Sequence, residues 1–239
     1  YMQILYRISS NSYERARLSS ATKENCLDNF IDNVVTERDE MTIIADNVDR
    51  QLLEFIKSKT RKNINVSEHN LGSNGASFRY QLDMAASFAD EEIILLQEDD
   101  YLYKPAEWPY QKKTTYNELF EEALEKSDYA SLYDHPDKYM APALGGNKYI
   151  SDDGIENTGI FVTAHSHWKY TNSTPCTLAS KSKTIRSDMK IWKQFCQGDH
   201  PYDFQAFIAL SVKGRKLASP IPGKATHCDS KFISPFFVD

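Results

Sequence analysis

The stretch EEIILLQEDD, residues 91–100, decides how the chain reads. Ile93 to Leu96 is a short apolar run of the kind that forms a buried central strand. Three carboxylates, Glu98, Asp99 and Asp100, follow where that strand leaves the sheet. In open α/β sheets, ligands collect beyond the carboxyl ends of the strands. Adjacent acids there repel one another unless a cation neutralises them. Hard oxygen ligands on a short turn suit Mg²⁺ or Mn²⁺, completed by substrate phosphates. A solvated acidic loop would give the same triplet, so the position at a strand end carries the metal reading.

Outward from this strand, the first half alternates β and α patterns. Met2 to Ile8 is a β-like run ending in the polar tip Ser9-Ser10-Asn11. Cys26, Leu27, Phe30, Ile31 and Val34 recur at helical spacing. Met41 to Ala45 is a second short apolar strand, ending in Asp46-Asn47. Val48 to Ser58 reads as a helix and Ile64 to Val66 as a weak strand. A helix carrying Phe78, Leu82, Ala85 and Ala89 on one face precedes the 93–97 strand. Strands alternating with helices imply parallel βαβ units with right-handed crossovers. The second half is less regular. Helices are expected over Tyr116–Lys126, Thr184–Phe195 and Asp203–Val212. Shorter strands are expected at 129–133, 145–150, 159–163, 167–170 and 216–219. The Pro-rich tail reads as extended. No repeat or linker interrupts the chain, which reads as one domain over 1–239, with a regular first half (1–103) and a less regular second half (104–239).

Bulk properties narrow the function classes. The chain has 239 residues, of which 41% are hydrophobic, 26% charged and 12% aromatic, as in a soluble globular protein. The net charge is −6 and the basic residues are scattered, which argues against a nucleic-acid partner. No apolar run approaches the roughly 18–20 residues of a membrane span. No signal peptide opens the chain, and Tyr1 in place of Met reads as a trimmed or partial polypeptide. The four cysteines show no CxxC spacing, so a reducing, cytoplasmic setting is the simpler expectation.

In a parallel sheet the tips at Ser9, Asp46 and Glu98–Asp100 share one edge, and a nucleotide could lie across them. Asp46 could hold a base or ribose, or serve as a helix cap or turn residue. The stretch LGSNGASFRY, residues 71–80, could bring backbone N–H groups to phosphates, with Arg79 reaching a phosphate or base. It matches neither a Walker loop nor GxGxxG. Asp203 opens a late helical run, where an acid can cap the helix or act as a general base. His227 offers an imidazole that Mn²⁺ accepts beside carboxylates, although a lone His is commonly structural. Trp168, Tyr170 and Trp192 could stack on a sugar ring or fill the core.

Taken together, these pieces resemble the GT-A fold glycosyltransferases: a Rossmann-like, mostly parallel central sheet flanked by helices, with a smaller acceptor-side sheet. Within them the chain looks most like small single-domain enzymes of the inverting family 2 type, such as the first domain of the chlorovirus glycan-building enzyme. The stretches that carry this are ADNVD (45–49), GSNGASFRYQLDMA (72–85), EEIILLQEDDYLY (91–103), SLYDHPDKY (131–139), HWKYTNSTPCTLASK (167–181), HPYDFQAF (200–207) and SPIPGKATHCD (219–229). The resemblance implies sugar transfer from a nucleotide-diphosphate sugar, UDP-linked by preference, to a hydroxyl of a glycan acceptor, using Mn²⁺ or Mg²⁺. It makes residues 1–103 the nucleotide-sugar-binding half and 104–239 the acceptor-binding half. It implies that Asp100 binds the metal, joined by His227. Glu98 and Asp99 would hold the ribose or support the metal through water. Asp46, Ser9, Ser77 and Arg79 would lie near the nucleotide, and Asp203 would be the catalytic base. The stretch between Asp134 and Lys169 departs most from the larger family.

Two other classes remain. A sugar-phosphate nucleotidyltransferase would open with a Gly-rich loop after the first strand, but here that loop is SSNSYERARLSS (9–20), without glycine. A non-catalytic sugar-binding module would not need both a metal triplet and an isolated acid on a late helix.

Overall fold

The structure is a computed structural model that describes residues 1–11, 15–149 and 157–237. In chain order its first half comprises β1 (Met2–Ile8), α1 (Lys23–Val34), β2 (Glu40–Asp46), α2 (Arg50–Ser58), β3 (Ile64–His69), α3 (Asn74–Ala85), β4 (Ile93–Gln97) and β5 (Tyr101–Tyr103). The second half comprises α4 (Tyr116–Leu124), β6 (Tyr129–Ala130), β7 (Ile160–Val162), β8 (His167–Thr171), β9 (Leu178–Lys181), α5 (Ser182–Phe195), α6 (Asp203–Val212), β10 (Leu217–Pro220) and β11 (Ala225–His227).

Among the described residues, nine strands form one sheet in the order β3-β2-β1-β4-β9-β6-β10-β8-β7. The first four run parallel, as the alternating pattern predicts. β9 runs antiparallel between β4 and β6, which restores the original direction for β6 and β10. The order reverses between β1 and β4, so the switch point lies at their carboxyl ends.

Side-chain alternation divides the core into two layers. Met2, Ile4, Tyr6 and Ile8 pack with Leu27 and Phe30 of α1, Leu52 and Ile56 of α2, and Leu119 and Phe120 of α4. Leu5, Ile94 and Leu96 face the other way, onto Phe78 and Leu82 of α3, Ile185 and Trp192 of α5, and Phe207 of α6. Helices therefore cover both faces, and every residue of β4 is buried. The fold is the mixed α/β arrangement of the GT-A class.

Several sequence expectations shift. The helix expected from Val48 starts at Arg50 because Asp49 caps it, accepting from Leu52 N–H at 2.8 Å. α3 stops at Ala85, so Ala89 lies beyond the helix and is exposed. The expected 129–133 strand holds only at Tyr129–Ala130, because the Leu132 carbonyl turns to accept from Lys224 and Ala225. The expected strand at 145–150 does not form over its described residues, 145–149, which follow a 3₁₀ turn over Pro142–Leu144 closed by Gly145 at φ +94°; Ile150 lies outside the described residues. β5, β9 and β11 were not expected. β5 and β11 pair as a separate two-stranded ladder, and this is the smaller sheet. The hairpin β7–β8 belongs to the main sheet. Trp168 and Trp192 are fully buried in the core.

The loop before α6 is packed directly on the start of α3. Gly75 donates its N–H to the Asp199 carbonyl at 2.8 Å. A Cβ at Gly75 would overlap the Gly198 carbonyl oxygen, whereas a Cβ at Gly198 would meet nothing within 4 Å. Gly75→Ala should therefore destabilise by about 1–3 kcal/mol, the usual cost of overpacking. Gly198→Ala should be close to neutral. Urea denaturation of both variants checks this contrast, and equal stability of the two would refute it.

Candidate active site at the switch point

The carboxyl ends of β1, β2 and β4 open into a cleft of about 300 Å³. It is lined by Arg7, Ser9, Arg17, Lys23, Asp46, Gly72 to Asn74, Ser77 and the triplet Glu98–Asp100, among others. Six residues singled out in the sequence, Ser9, Asp46, Ser77, Glu98, Asp99 and Asp100, thus meet in one place.

Each wall follows from local structure. Asp46 ends β2, is buried, and accepts from Leu71 N–H at 2.8 Å through Oδ1. It is not a helix cap. Ser73 caps α3, accepting from Ala76 N–H at 3.2 Å, and Gly72 supplies a left-handed turn at φ +91°. The Ser9 N–H donates to Asp99 Oδ2 at 3.0 Å, tying the β1 tip to the acidic turn. β5 continues directly from that turn and pairs with β11 in a register that sets His227 opposite Tyr101. Asp100 and His227 are brought together by this ladder.

Three basic residues, missed in the sequence reading, face the three acids. Arg7 donates to Glu98 Oε1 at 3.0 Å and to Asn74 Oδ1 at 2.7 Å. Lys23 lies 2.6 Å from Asp99 Oδ1. Arg17 lies 3.7 Å from Asp100 Oδ2. A signal existed for Arg7: it is the one charged residue in a mostly apolar central strand. For Arg17 and Lys23, scattered in a polar loop and a helix start, no local pattern singles them out.

Burial dominates the electrostatics of two of the acids, Glu98 and Asp203. Glu98 is pushed up to about 7 by burial, and the charges of Asp100 and Asp203 add to this while Arg7 and His227 oppose it. Burial also pushes Asp203 up to about 6, against the pull of the Phe204 N–H and Lys138. Asp203 is the first residue of α6, whose cap is Tyr202. It does not line the cleft, yet its charge reaches Glu98. Its Oδ1 accepts from Phe204 N–H at 2.6 Å.

Arg79 is placed elsewhere. Its guanidinium donates to the carbonyls of Cys196 and Gly198, closing α3 onto the loop after α5. A larger cavity of about 500 Å³ lies at the opposite edge of the sheet, beside the starts of β6 and β10, and contains none of these acids.

Among the described residues no group of three or more His, Cys, Asp and Glu converges as a metal site. Asp100 and His227 form a two-donor set. Asp100 Oδ2 and His227 Nε2 are 3.4 Å apart. Adjacent donors of an octahedral cation, each about 2.1 Å from it, lie about 3 Å apart, so the spacing fits. An oxygen and an imidazole suit Mn²⁺ well, with remaining positions left for phosphate and water. The tautomer requires a change. His227 Nδ1 accepts from Asp229 N–H at 3.0 Å, so the neutral ring carries its proton on Nε2. Ligation through Nε2 requires the proton on Nδ1 and the Asp229 contact released.

No family model matches the chain. No curated protein matches it either. Solved structures do. A crystal structure of GalNAc-T7 with UDP, GalNAc and Mn²⁺ is similar over 95% of this chain and 43% of that one, with 8% identity and a TM-score of 0.59. The chain thus spans less than half of that protein's length. S. aureus TarS (residues 1–349) is similar at a TM-score of 0.48 with 14% identity, over 91% of this chain and 57% of that one. A 4-diphosphocytidyl-2C-methyl-D-erythritol synthase is similar at a TM-score of 0.48 with 10% identity, over 99% of this chain and 93% of that one. The likeness to GalNAc-T7 agrees with the GT-A fold read from the topology. At such identity it speaks for the fold alone, and the two weaker likenesses carry no argument.

The raised Glu98 sets a pH dependence of stability. A carboxyl held above its ordinary 4.5 favours the folded state when protonated, and that contribution is lost as pH rises through about 7. Glu98→Gln removes the ionisation. The stability of wild type relative to this variant should therefore fall between pH 4.5 and 7 and level off above it. Urea titrations across this range test it, and a flat difference would refute the burial argument.

Proposed function

We propose that this protein is a metal-dependent, inverting glycosyltransferase that moves a sugar from a nucleoside-diphosphate sugar to a glycan hydroxyl. The observation that carries the reading is the cleft at the switch point, where nucleotide-facing groups and three acids meet three basic side chains. The motif pattern favours the small family 2-like type, and UDP is the preferred nucleotide. Four buried free cysteines fit a reducing, cytoplasmic setting. No helix among the described residues is long and apolar enough to cross a membrane.

In this reading Asp46 holds the base or ribose, and Ser9, Ser77 and Asn74 line the path of the nucleotide. Asp100, with His227, would hold a divalent cation, which would neutralise charge on the leaving diphosphate. Glu98 and Asp99 stay bound to Arg7 and Lys23 and keep the turn rigid. Asp203 takes the proton from the acceptor hydroxyl. That oxygen bonds to the anomeric carbon, and the bond from this carbon to the diphosphate breaks with its electron pair leaving on phosphate oxygen. A single displacement inverts the anomeric centre. Arg79 has no part in this scheme, because it does not line the cleft and its Nη1 donates to backbone carbonyls of the loop after α5.

Binding and chemistry are tested separately. Asp100→Ala should retain its fold while losing Mn²⁺-dependent stabilisation by UDP in a thermal-shift assay. Equal Mn²⁺-dependent shifts in wild type and variant would remove Asp100 from the metal site.

Asp203→Asn keeps the acceptor for Phe204 N–H, so stability should change little. Transfer should fall by about 10²–10⁴-fold. In wild type kcat/KM should rise with pH through about 6, as Asp203 loses its proton, and the variant should lose that limb. Near-normal turnover by the variant, or a product retaining the donor's configuration, would overturn the assignment.

A further inference from the structure

The cleft balances its charges in pairs, Glu98 with Arg7, Asp99 with Lys23 and Asp100 with Arg17, but the pairs are unlike. Arg7 is locked: it bonds Glu98 and Asn74 and lies over the Phe78 ring at 5.3 Å. Lys23 is in close contact with Asp99 at 2.6 Å. Arg17 approaches Asp100 only to 3.7 Å, and among the described residues its guanidinium makes no hydrogen bond. A guanidinium carries five N–H donors in a rigid fork. This fork borders the cleft with its donors uncommitted.

The backbone beneath it is fixed. Arg17 bridges Asp229 in antiparallel fashion, Leu18 N–H donates to the Cys228 carbonyl at 3.0 Å, and Ser230 N–H donates to the Ala16 carbonyl at 2.9 Å. Arg17 therefore stands beside the strand end that carries His227. Both side chains converge on the same oxygen, Asp100 Oδ2, at 3.7 and 3.4 Å.

We propose that Arg17 is the resident counter-cation of Asp100 and exchanges partners when the donor binds, yielding Asp100 to the divalent cation and gripping the diphosphate. The proposal rests on the sugar-transfer reading above and adds a diphosphate-binding residue to it. A dication beside Asp100 repels the guanidinium, while the diphosphate attracts it. A planar fork matches two phosphate oxygens, which a point charge does not. Arg17 thus opposes metal binding in the empty cleft and supports nucleotide binding. Metal and diphosphate then strengthen each other's binding, because each removes an obstacle to the other.

The test measures Mn²⁺ alone, from the free-ion EPR signal, and UDP in EDTA, by calorimetry. In Arg17→Gln, Mn²⁺ alone should bind about 2–5-fold tighter, the scale of a partly exposed ion pair. UDP without metal should bind about 10–100-fold weaker, the scale of charge-assisted hydrogen bonds. Arg17→Lys keeps the charge but not the fork, so its Mn²⁺ affinity should stay near wild type and its UDP affinity should fall between the other two. Affinities in Arg17→Gln that fall together, or that both stay unchanged, would overturn the exchange. A wild type that binds UDP neither with nor without Mn²⁺ would bring down the sugar-transfer reading itself.

Discussion

Three carboxylates on one turn, at the end of a fully buried strand, must be neutralised, and much of the molecule answers that demand. Arg7 occupies a central strand, where a charge is costly unless paired. Its presence there is explained by Glu98, 3.0 Å away. Lys23 is the first residue of α1, where the helix dipole disfavours a cation. The contact with Asp99 accounts for it. The β5–β11 ladder sets His227 beside Asp100 and brings residues 228–230, just after β11, against the Arg17 segment. Removing the acids would leave each of these features without a reason.

The parallel half of the sheet was legible in the sequence because its signals are local. Apolar runs, helical spacing and polar tips lie within single segments, and a parallel sheet brings such tips to one edge without further information. The gathering of Ser9, Asp46 and Glu98–Asp100 follows from that topology. The antiparallel half was less legible. β9 contains Ala179 and Ser180, which are buried because β4 and β6 flank them, not because they are strongly apolar. β5 and β11 are three residues each and acquire strand character only from each other. Arg79 illustrates the opposite failure: its position at the start of a helix suggested a ligand, but the carbonyls that hold it come from more than a hundred residues away in the chain.

The balanced charges also determine how a ligand can enter. Every acid of the triplet already has a basic partner, so an anionic nucleotide does not meet a bare negative wall. In the proposed scheme binding is an exchange of partners, and the loosest pair is the one with the least to lose. In that scheme the tautomer of His227 would belong to the same exchange, since releasing Asp229 N–H would free Nε2 for a cation. Such a site responds to salt through its exposed members more than through Arg7, which is buried.

Two carboxyls near the cleft are raised toward neutrality, and geometry separates their roles. Glu98 is held on both oxygens, Oε1 by Arg7 at 3.0 Å and Oε2 by the Thr177 hydroxyl at 3.2 Å. A carboxylate bound on both sides has no free oxygen aimed at a substrate proton. Among the described residues the Asp203 carboxyl is held by a neighbouring backbone group, its Oδ1 accepting from the Phe204 N–H. A pKa raised to about 6 leaves it ionised at neutral pH, yet basic enough for the role of general base that the proposed mechanism gives it. The charge of Asp203 raises Glu98 further. Within the proposed mechanism, the difference in hydrogen bonding, more than the difference in pKa, favours Asp203 over Glu98 as the base.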